Sequence, residues 1–271
     1  MKFTEQFYNE TINPLTECVE SASEEIMKIY NSDNYEASNK EDGSPLTAAD
    51  KRSNEIILKS LEKISPSIPI ISEETFDAEM IRDLPNIYWL VDPLDGTREF
   101  INKTDEFTVN IALIEKQKTV FGIVGAPVEK KIWHGSKFHN IENDNEYPEV
   151  IRIVMSKSHK SVNDRAFLNY LSEMNIDYEI LEKGSSLKLC SLAENDADVY
   201  PRFGPTSEWD IAAAHAVLRS NGGNVSILSD FSEMSYAKSS SILNPFFICT
   251  RNNALKQTFL PRIGDFFKKL V

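Results

Sequence analysis

The chain has 271 residues, 41% of them hydrophobic, enough for one large domain or two packed halves around a substantial core. A formal net charge of −13, with no Lys/Arg cluster beyond short runs, excludes a protein that neutralises the backbone of a nucleic-acid polymer. An acidic chain that takes a small phosphorylated ligand instead needs bound cations or a few local basic groups.

The first thirty residues carry acids throughout and do not resemble a signal peptide, and no segment approaches the roughly 20 apolar residues of a membrane span. Cys18, Cys190 and Cys249 are widely spaced and form no CxxC pair. The expectation is a cytoplasmic protein with buried thiols. Leu15, Val19, Ala22, Ile26 and Ile29 recur at helical steps and predict a long first helix. After a polar loop carrying Asp42 and Ser44, expected to be mobile, Thr47 opens a second helix with Ile57, Leu61 and Ile64 inward, ending before Pro66. The runs IPIIS, NIYWLVDP, FTVNIALIE and TVFGIVGAPV predict strands, the last two a hairpin across KQK, and this half reads as α+β with an antiparallel sheet. Beyond HNIENDNEYPEV the pattern alternates: strand IRIVMS, helix SVNDRAFLNYLSEM, strand YEILE, helix SLKLCSLAEN, strand DVYPRF, helix SEWDIAAAHAVLRS, strands NVSIL and FFICT, and a last helix. That is an α/β half, giving units 1–145 and 146–271 within one compact body.

The chemistry concentrates in YWLVDPLDGTREF. An apolar strand is predicted to end at Asp92, where Pro93 breaks the ladder and Asp95, Gly96 and Thr97 follow. Asp92, Asp95 and the Leu94 carbonyl offer oxygens suited to a hard cation such as Mg²⁺, and the Gly96 and Thr97 N–H groups offer a seat for phosphate. An Asp-Pro/Asp-Gly turn explains the same residues by conformation alone. A second strand tip delivers Glu73 and Glu74, of which Glu73 is the direct ligand and Glu74 acts behind it or through water, unless the two form a solvated surface pair. Asp50 either completes a helix cap with Thr47 or orients the Thr97 hydroxyl toward a water. Asp210, three residues after Ser207, is either the acid of a helix start or a further ligand. His215, Trp89 and Trp209 read as packing residues. His159 sits in a polar stretch after a strand, and Lys157, Lys160, Lys188 and Arg202 read equally as solvated surface.

Taken together, Asp50, Glu73-Glu74, Asp92 to Thr97, Trp209-Asp210 and Gly222-Gly223 resemble the signature of the inositol monophosphatase superfamily of Mg²⁺-dependent phosphatases, in the family's order from about residue 44 to 223. The segments REF, SKSHK, GSSLKLC, YPRFGPT and EWDIAAAHAVL sharpen the likeness towards its bacterial 3′(2′),5′-bisphosphate nucleotidases of the CysQ type; Ala214 stands where that family commonly has Gly. The resemblance implies a layered αβαβα sandwich and two or three Mg²⁺ ions. Glu73, Asp92 and the Leu94 carbonyl would hold one, and Asp92, Asp95 and Asp210 a second, while Asp50 and Thr97 handle the water. It further implies contacts from Gly96, Thr97, His159, Ser185, Lys188, Arg202 and Asp210 to a small nucleotide such as 3′-phosphoadenosine 5′-phosphate, cleaved to AMP and phosphate. A homodimer and a peripheral place at the inner membrane are compatible with it. Inositol-1-phosphate or fructose bisphosphate would be the alternative substrates on such a scaffold, and a non-catalytic metal- or nucleotide-binding regulator the alternative outside enzymes.

Overall fold

Side-chain alternation in one strand organises the molecule. In the strand Ile87–Asp95, Ile87, Trp89 and Val91 pack with Leu15, Val19, Ile57 and Leu61 of the first two helices, whereas Tyr88 and Leu90 face Trp209, Ala213 and Val217 of a helix on the opposite side. Both faces are therefore apolar, which is why this strand reads as a continuous hydrophobic run.

The computed structural model describes residues 2–32, 38–39, 45–141, 145–157, 161–238 and 241–268. The elements are α1 (Glu5–Tyr30), β1 (Ser38–Asn39), β2 (Pro45–Leu46), α2 (Ala48–Ile64), β3 (Ile70–Ser72), β4 (Ile87–Asp95), α3 (Thr97–Ile101), β5 (Thr108–Glu115), β6 (Lys118–Ala126), β7 (Lys131–Ser136) and β8 (Ile151–Met155). They continue with α4 (Val162–Glu173), β9 (Tyr178–Glu182), α5 (Leu187–Ala193), β10 (Val199–Arg202), α6 (Glu208–Ser220), β11 (Asn224–Ile227), β12 (Phe247–Thr250) and α7 (Asn253–Phe267). One five-stranded sheet has the order β3-β4-β5-β6-β7, the other β11-β12-β10-β8-β9.

Three apolar cores separate five layers. The first lies between α1/α2 and the first sheet, the second between the first sheet, α5/α6 and the second sheet, and the third between the second sheet and α4/α7. The stack is an αβαβα sandwich, as the resemblance implied. Helix α6 lies against β5, β6 and β7 because glycines on the strands leave room for it: a Cβ on Gly122 would stand 2.2 Å from the Ala213 carbonyl oxygen. Ala214, the departure noted above, is fully buried in this layer.

Three expectations are corrected. The first sheet is not wholly antiparallel, because β3 pairs parallel with β4 across a crossover built from short 3₁₀ turns. Strand β4 does not stop at Asp92: Pro93, which has no N–H to give, sits in a bulge, and pairing resumes at Asp95, so that Asp92 faces Asn110 and Asp95 faces Thr108. The edge strand β7 was not anticipated; its polar, partly exposed residues lack the apolar run used to find the others. The loop with Asp42 and Ser44 lies outside the described residues. Among the described residues no helix is long and apolar enough to cross a membrane.

Candidate metal and phosphate site

The parity of β4 aims Asp92 to the same side as Tyr88 and Leu90, toward the α5/α6 layer. Helix α6 begins there, and Asp210 occupies its first turn, accepting the Ser207 backbone N–H at 2.9 Å. Glu73 enters from β3 next door, on a 3₁₀ turn rather than on the strand itself. One carboxylate oxygen from each of Glu73, Asp92 and Asp210 lies within 4.8 Å of the others. Burial pushes the Asp92 carboxyl well above the usual carboxylate range, and the charges of Glu73, Asp95 and Asp210 push it further. The Asp210 carboxyl rises for the same reasons, burial first and then Asp95 and Glu73, with the Ser207 N–H working against the rise. Hard oxygen donors crowded at this spacing, each disfavouring the others' ionisation, suit a divalent cation. Glu74 is half-buried beside Glu73 and is not one of this close triad.

Asp95 is held differently. Its Oδ2 accepts the Ser185 hydroxyl at 2.5 Å and the Ser186 N–H at 2.8 Å. The Ser186 hydroxyl in turn donates to the Asp210 carbonyl at 2.6 Å, so the start of α5 ties the tip of β4 to the first turn of α6. At Gly96 the backbone has φ +91°, and a Cβ there would stand 3.0 Å from the Glu106 carbonyl, so the turn into α3 is a glycine position on both counts.

Asp50 meets both of its readings at once. Its Oδ2 accepts the Thr47 N–H at 2.7 Å and the Thr47 hydroxyl at 2.6 Å, the cap of α2, while its Oδ1 accepts the Thr97 hydroxyl at 3.1 Å. The same Thr97 oxygen lies 3.3 Å from the Leu94 carbonyl. Ser53 donates to the Pro93 carbonyl at 2.7 Å and fixes the bulge from below.

Asp95, Gly96, Ser185, Lys188, Arg202 and Asp210 line one open cavity together with Glu99, Tyr200 and Ser186. Lys188 is 7% exposed and donates to the Ser185 carbonyl at 2.7 Å. Burial brings its ammonium down to about 8; Asp95 opposes that shift and Arg202 adds to it. The Arg202 guanidinium donates to the Pro205 carbonyl at 3.1 Å, and its buried Nε has no protein partner among the described residues. His159 lies outside the described residues. Lys157 is exposed and 3.8 Å from Glu106.

The packing assignments agree with the structure. His215 is buried against the Tyr236 hydroxyl at 2.7 Å, and burial brings its ring down to about 3. Trp89 is fully buried and donates to the Ser65 hydroxyl, Trp209 packs edge-on to Phe76, and the three thiols are buried and free. Sequence reasoning passed over Ser186, Glu99 and Tyr200. Each had a signal in the segments that carry the resemblance, Ser186 in GSSLKLC, Glu99 in REF and Tyr200 in YPRFGPT.

Residues 8–258 match the inositol monophosphatase family. The chain is 40% identical over 239 residues to the 3′(2′),5′-bisphosphate nucleotidase CysQ of Salmonella typhimurium, covering 85% of this chain and 95% of that protein. It is 41% identical over 229 residues to the protein of the same name from Buchnera aphidicola, covering 80% and 84%. The crystal structure of CysQ from Bacteroides thetaiotaomicron, described as a bacterial member of the inositol monophosphatase family, superposes with a TM-score of 0.76 at 32% identity over 88% of this chain and 96% of that one. With its family match spanning nearly the whole chain and its acids gathered at one seam of the sandwich, this chain belongs to the inositol monophosphatase family.

Proposed function

We propose that the chain hydrolyses the 3′(2′)-phosphate of a nucleoside 3′(2′),5′-bisphosphate, 3′-phosphoadenosine 5′-phosphate being the expected substrate, with two or three Mg²⁺ ions in the acidic site. The observation that carries this reading is one cavity with an acidic wall of Asp95 and Asp210 and a basic wall of Lys188 and Arg202. A monophosphate needs only the first wall; a second, non-reacting phosphate gives the buried Lys188 and the half-buried Arg202 an anionic partner. The two nucleotidases named CysQ above, at 40% and 41% identity, support the same substrate class.

The residues that fit the cation are Glu73, Asp92 and Asp210, and Asp95 and the Leu94 carbonyl are the further oxygens that the resemblance assigns to it. When bound, Mg²⁺ supplies charge to the phosphoryl oxygens and to the leaving alkoxide. The protein's own part begins at Thr97. A water hydrogen-bonded to Thr97 Oγ1 gives its proton to that hydroxyl as the hydroxyl passes its own to Asp50 Oδ1. Thr47 steadies Asp50 through both of its donors, so the carboxylate is aimed before substrate arrives. The backbone N–H groups at the start of α3 receive phosphate oxygens. The reduced, buried thiols accord with a cytoplasmic enzyme.

Phosphate release with Mg²⁺ should favour 3′-phosphoadenosine 5′-phosphate over inositol 1-phosphate and fructose 1,6-bisphosphate by kcat/KM. Equal or reversed preference would reject the nucleotide assignment, and no turnover of any small phosphate ester would favour the regulator. The Lys188 ammonium sets a pH signature. With its titration at about 8 it carries charge below that pH and loses it above, so KM for the bisphosphate should climb between pH 8 and 9.5 while kcat at saturation stays nearly level. Lys188→Met should raise KM roughly 10- to 100-fold at pH 7, the worth of a hydrogen bond to a charged group, and flatten the rise.

A further inference from the structure

We infer that Asn110, Thr108 and Ser185 form a one-way chain of hydrogen-bond donors that holds Asp95 as a metal ligand, so that Thr108 and Asn110 are positioning residues of the site; this rests on the reading of Asp95 as a ligand given above. Each hydroxyl has one proton to give. That of Ser185 goes to Asp95 Oδ2 at 2.5 Å, the shortest contact of the group. The Ser185 and Thr108 oxygens are 2.6 Å apart, a distance two hydroxyls hold only with a hydrogen between them, and the remaining source of that hydrogen is Thr108. Thr108 then has none left for the Asn110 side-chain oxygen Oδ1, which the structure sets 3.2 Å from its hydroxyl as an acceptor.

Asn110 must therefore turn its amide nitrogen to Thr108. In the orientation the structure records, with Oδ1 toward Thr108, that nitrogen is a buried donor with no protein partner among the described residues, which is the more costly group to leave unpaired. The chain then runs from Asn110 Nδ2 to Thr108 Oγ1, from Thr108 to Ser185 Oγ, and from Ser185 to Asp95 Oδ2, where the Ser186 N–H also ends. Asp95 Oδ2 is filled by two protein donors, and Oδ1 is the oxygen left to face a cation. The fold makes this possible because the bulge pairs Asp92 with Asn110 and Asp95 with Thr108, placing both polar β5 side chains under the acids.

Titration of the protein with Mn²⁺ by calorimetry, without substrate, tests the chain. Thr108→Val should weaken Mn²⁺ binding about 10-fold or more, the usual scale when a group behind a ligand is lost, and Thr108→Ser should restore it to within about 2-fold. Both variants should melt within a few degrees of the parent in chelator. Parental Mn²⁺ affinity in Thr108→Val, or equal weakening in Thr108→Ser, overturns the inference. If Thr108→Val does not fold, Ser185→Ala on the cavity rim decides: weakened Mn²⁺ binding supports the chain, and unchanged Mn²⁺ affinity overturns it. None of these titrations uses a phosphate ester, so failure of the nucleotide reading leaves them standing.

Discussion

Asp92→Asn should abolish most turnover, on the order of 10³-fold in kcat, while making the metal-free protein more stable. Asp92 is 1% exposed and stands among Glu73, Asp95 and Asp210, so its charge is disfavoured by burial first and by those three acids next. Its carboxyl in the folded state titrates above the unfolded value, so the folded protein holds a proton that the unfolded chain has already released. The contribution of Asp92 to the stability of the metal-free parent is then present at low pH and lost as pH rises from about 4 through the folded-state value, opposite in sense to the Arg-paired Asp198, whose carboxyl is held low. Asparagine removes that repulsion and flattens part of the pH dependence. A cation reverses the balance for the parent: at about 100 times its dissociation constant, Mg²⁺ adds roughly 2.7 kcal/mol, or about 5 °C or more in Tm. The variant, with a shared ligand gone, should shift far less. Thermal melts with chelator and with Mg²⁺, from pH 5 to 8, check all of this. Equal Mg²⁺ shifts in parent and variant would remove Asp92 from the site.

The second large effect falls on the proton path. Thr97→Val should lower kcat by roughly 10²- to 10⁴-fold with little change in KM or in Mg²⁺ affinity, and Thr97→Ser should keep most of the activity. The hydroxyl touches Asp50 Oδ1 at 3.1 Å and is not part of any helix cap, so its loss isolates catalysis from stability. Asp50→Asn lacks that clarity. Its amide has one acceptor oxygen where the carboxylate has two, so the NH₂ must face either the Thr47 N–H and hydroxyl, at about 1 kcal/mol of lost capping, or the Thr97 hydroxyl whose proton Asp50 takes. Because the two residues act on one proton, the double variant should be scarcely slower than the worse single one. Multiplicative losses in the double variant would separate Thr97 from Asp50.

How much of this was legible in the sequence depends on distance along the chain. Asp92 to Thr97 and Asp50 with Thr47 are local patterns: the cap of α2 was read directly, whereas the strand tip was placed at Asp92 and the structure carries it through a bulge to Asp95. The two rival explanations of Asp50 proved compatible because a carboxylate has two oxygens, one for the cap and one for Thr97. The meeting of Glu73, Asp92 and Asp210 was expected only through joint occurrence, since no local periodicity ties residue 73 to residue 210. Thr108 and Asn110 were invisible. They lie in an alternating strand, and their importance comes from a partner 77 residues later and from the bulge that sets their register. The parallel pairing of β3 with β4 was missed because the crossover between them is made of short 3₁₀ turns that carry no helical periodicity.

Strand β4 also acts as a reading frame. Its odd positions from Ile87 to Val91 serve one core and its even positions the other, and Asp92 takes the next even place. Deleting or inserting a single residue between 87 and 91 would exchange the two sets, swing the acid toward α1 and α2, and put Trp89 against α6. Folding and chemistry are thus locked to the same count of residues, so a length change there that spares one without the other is not available to the chain.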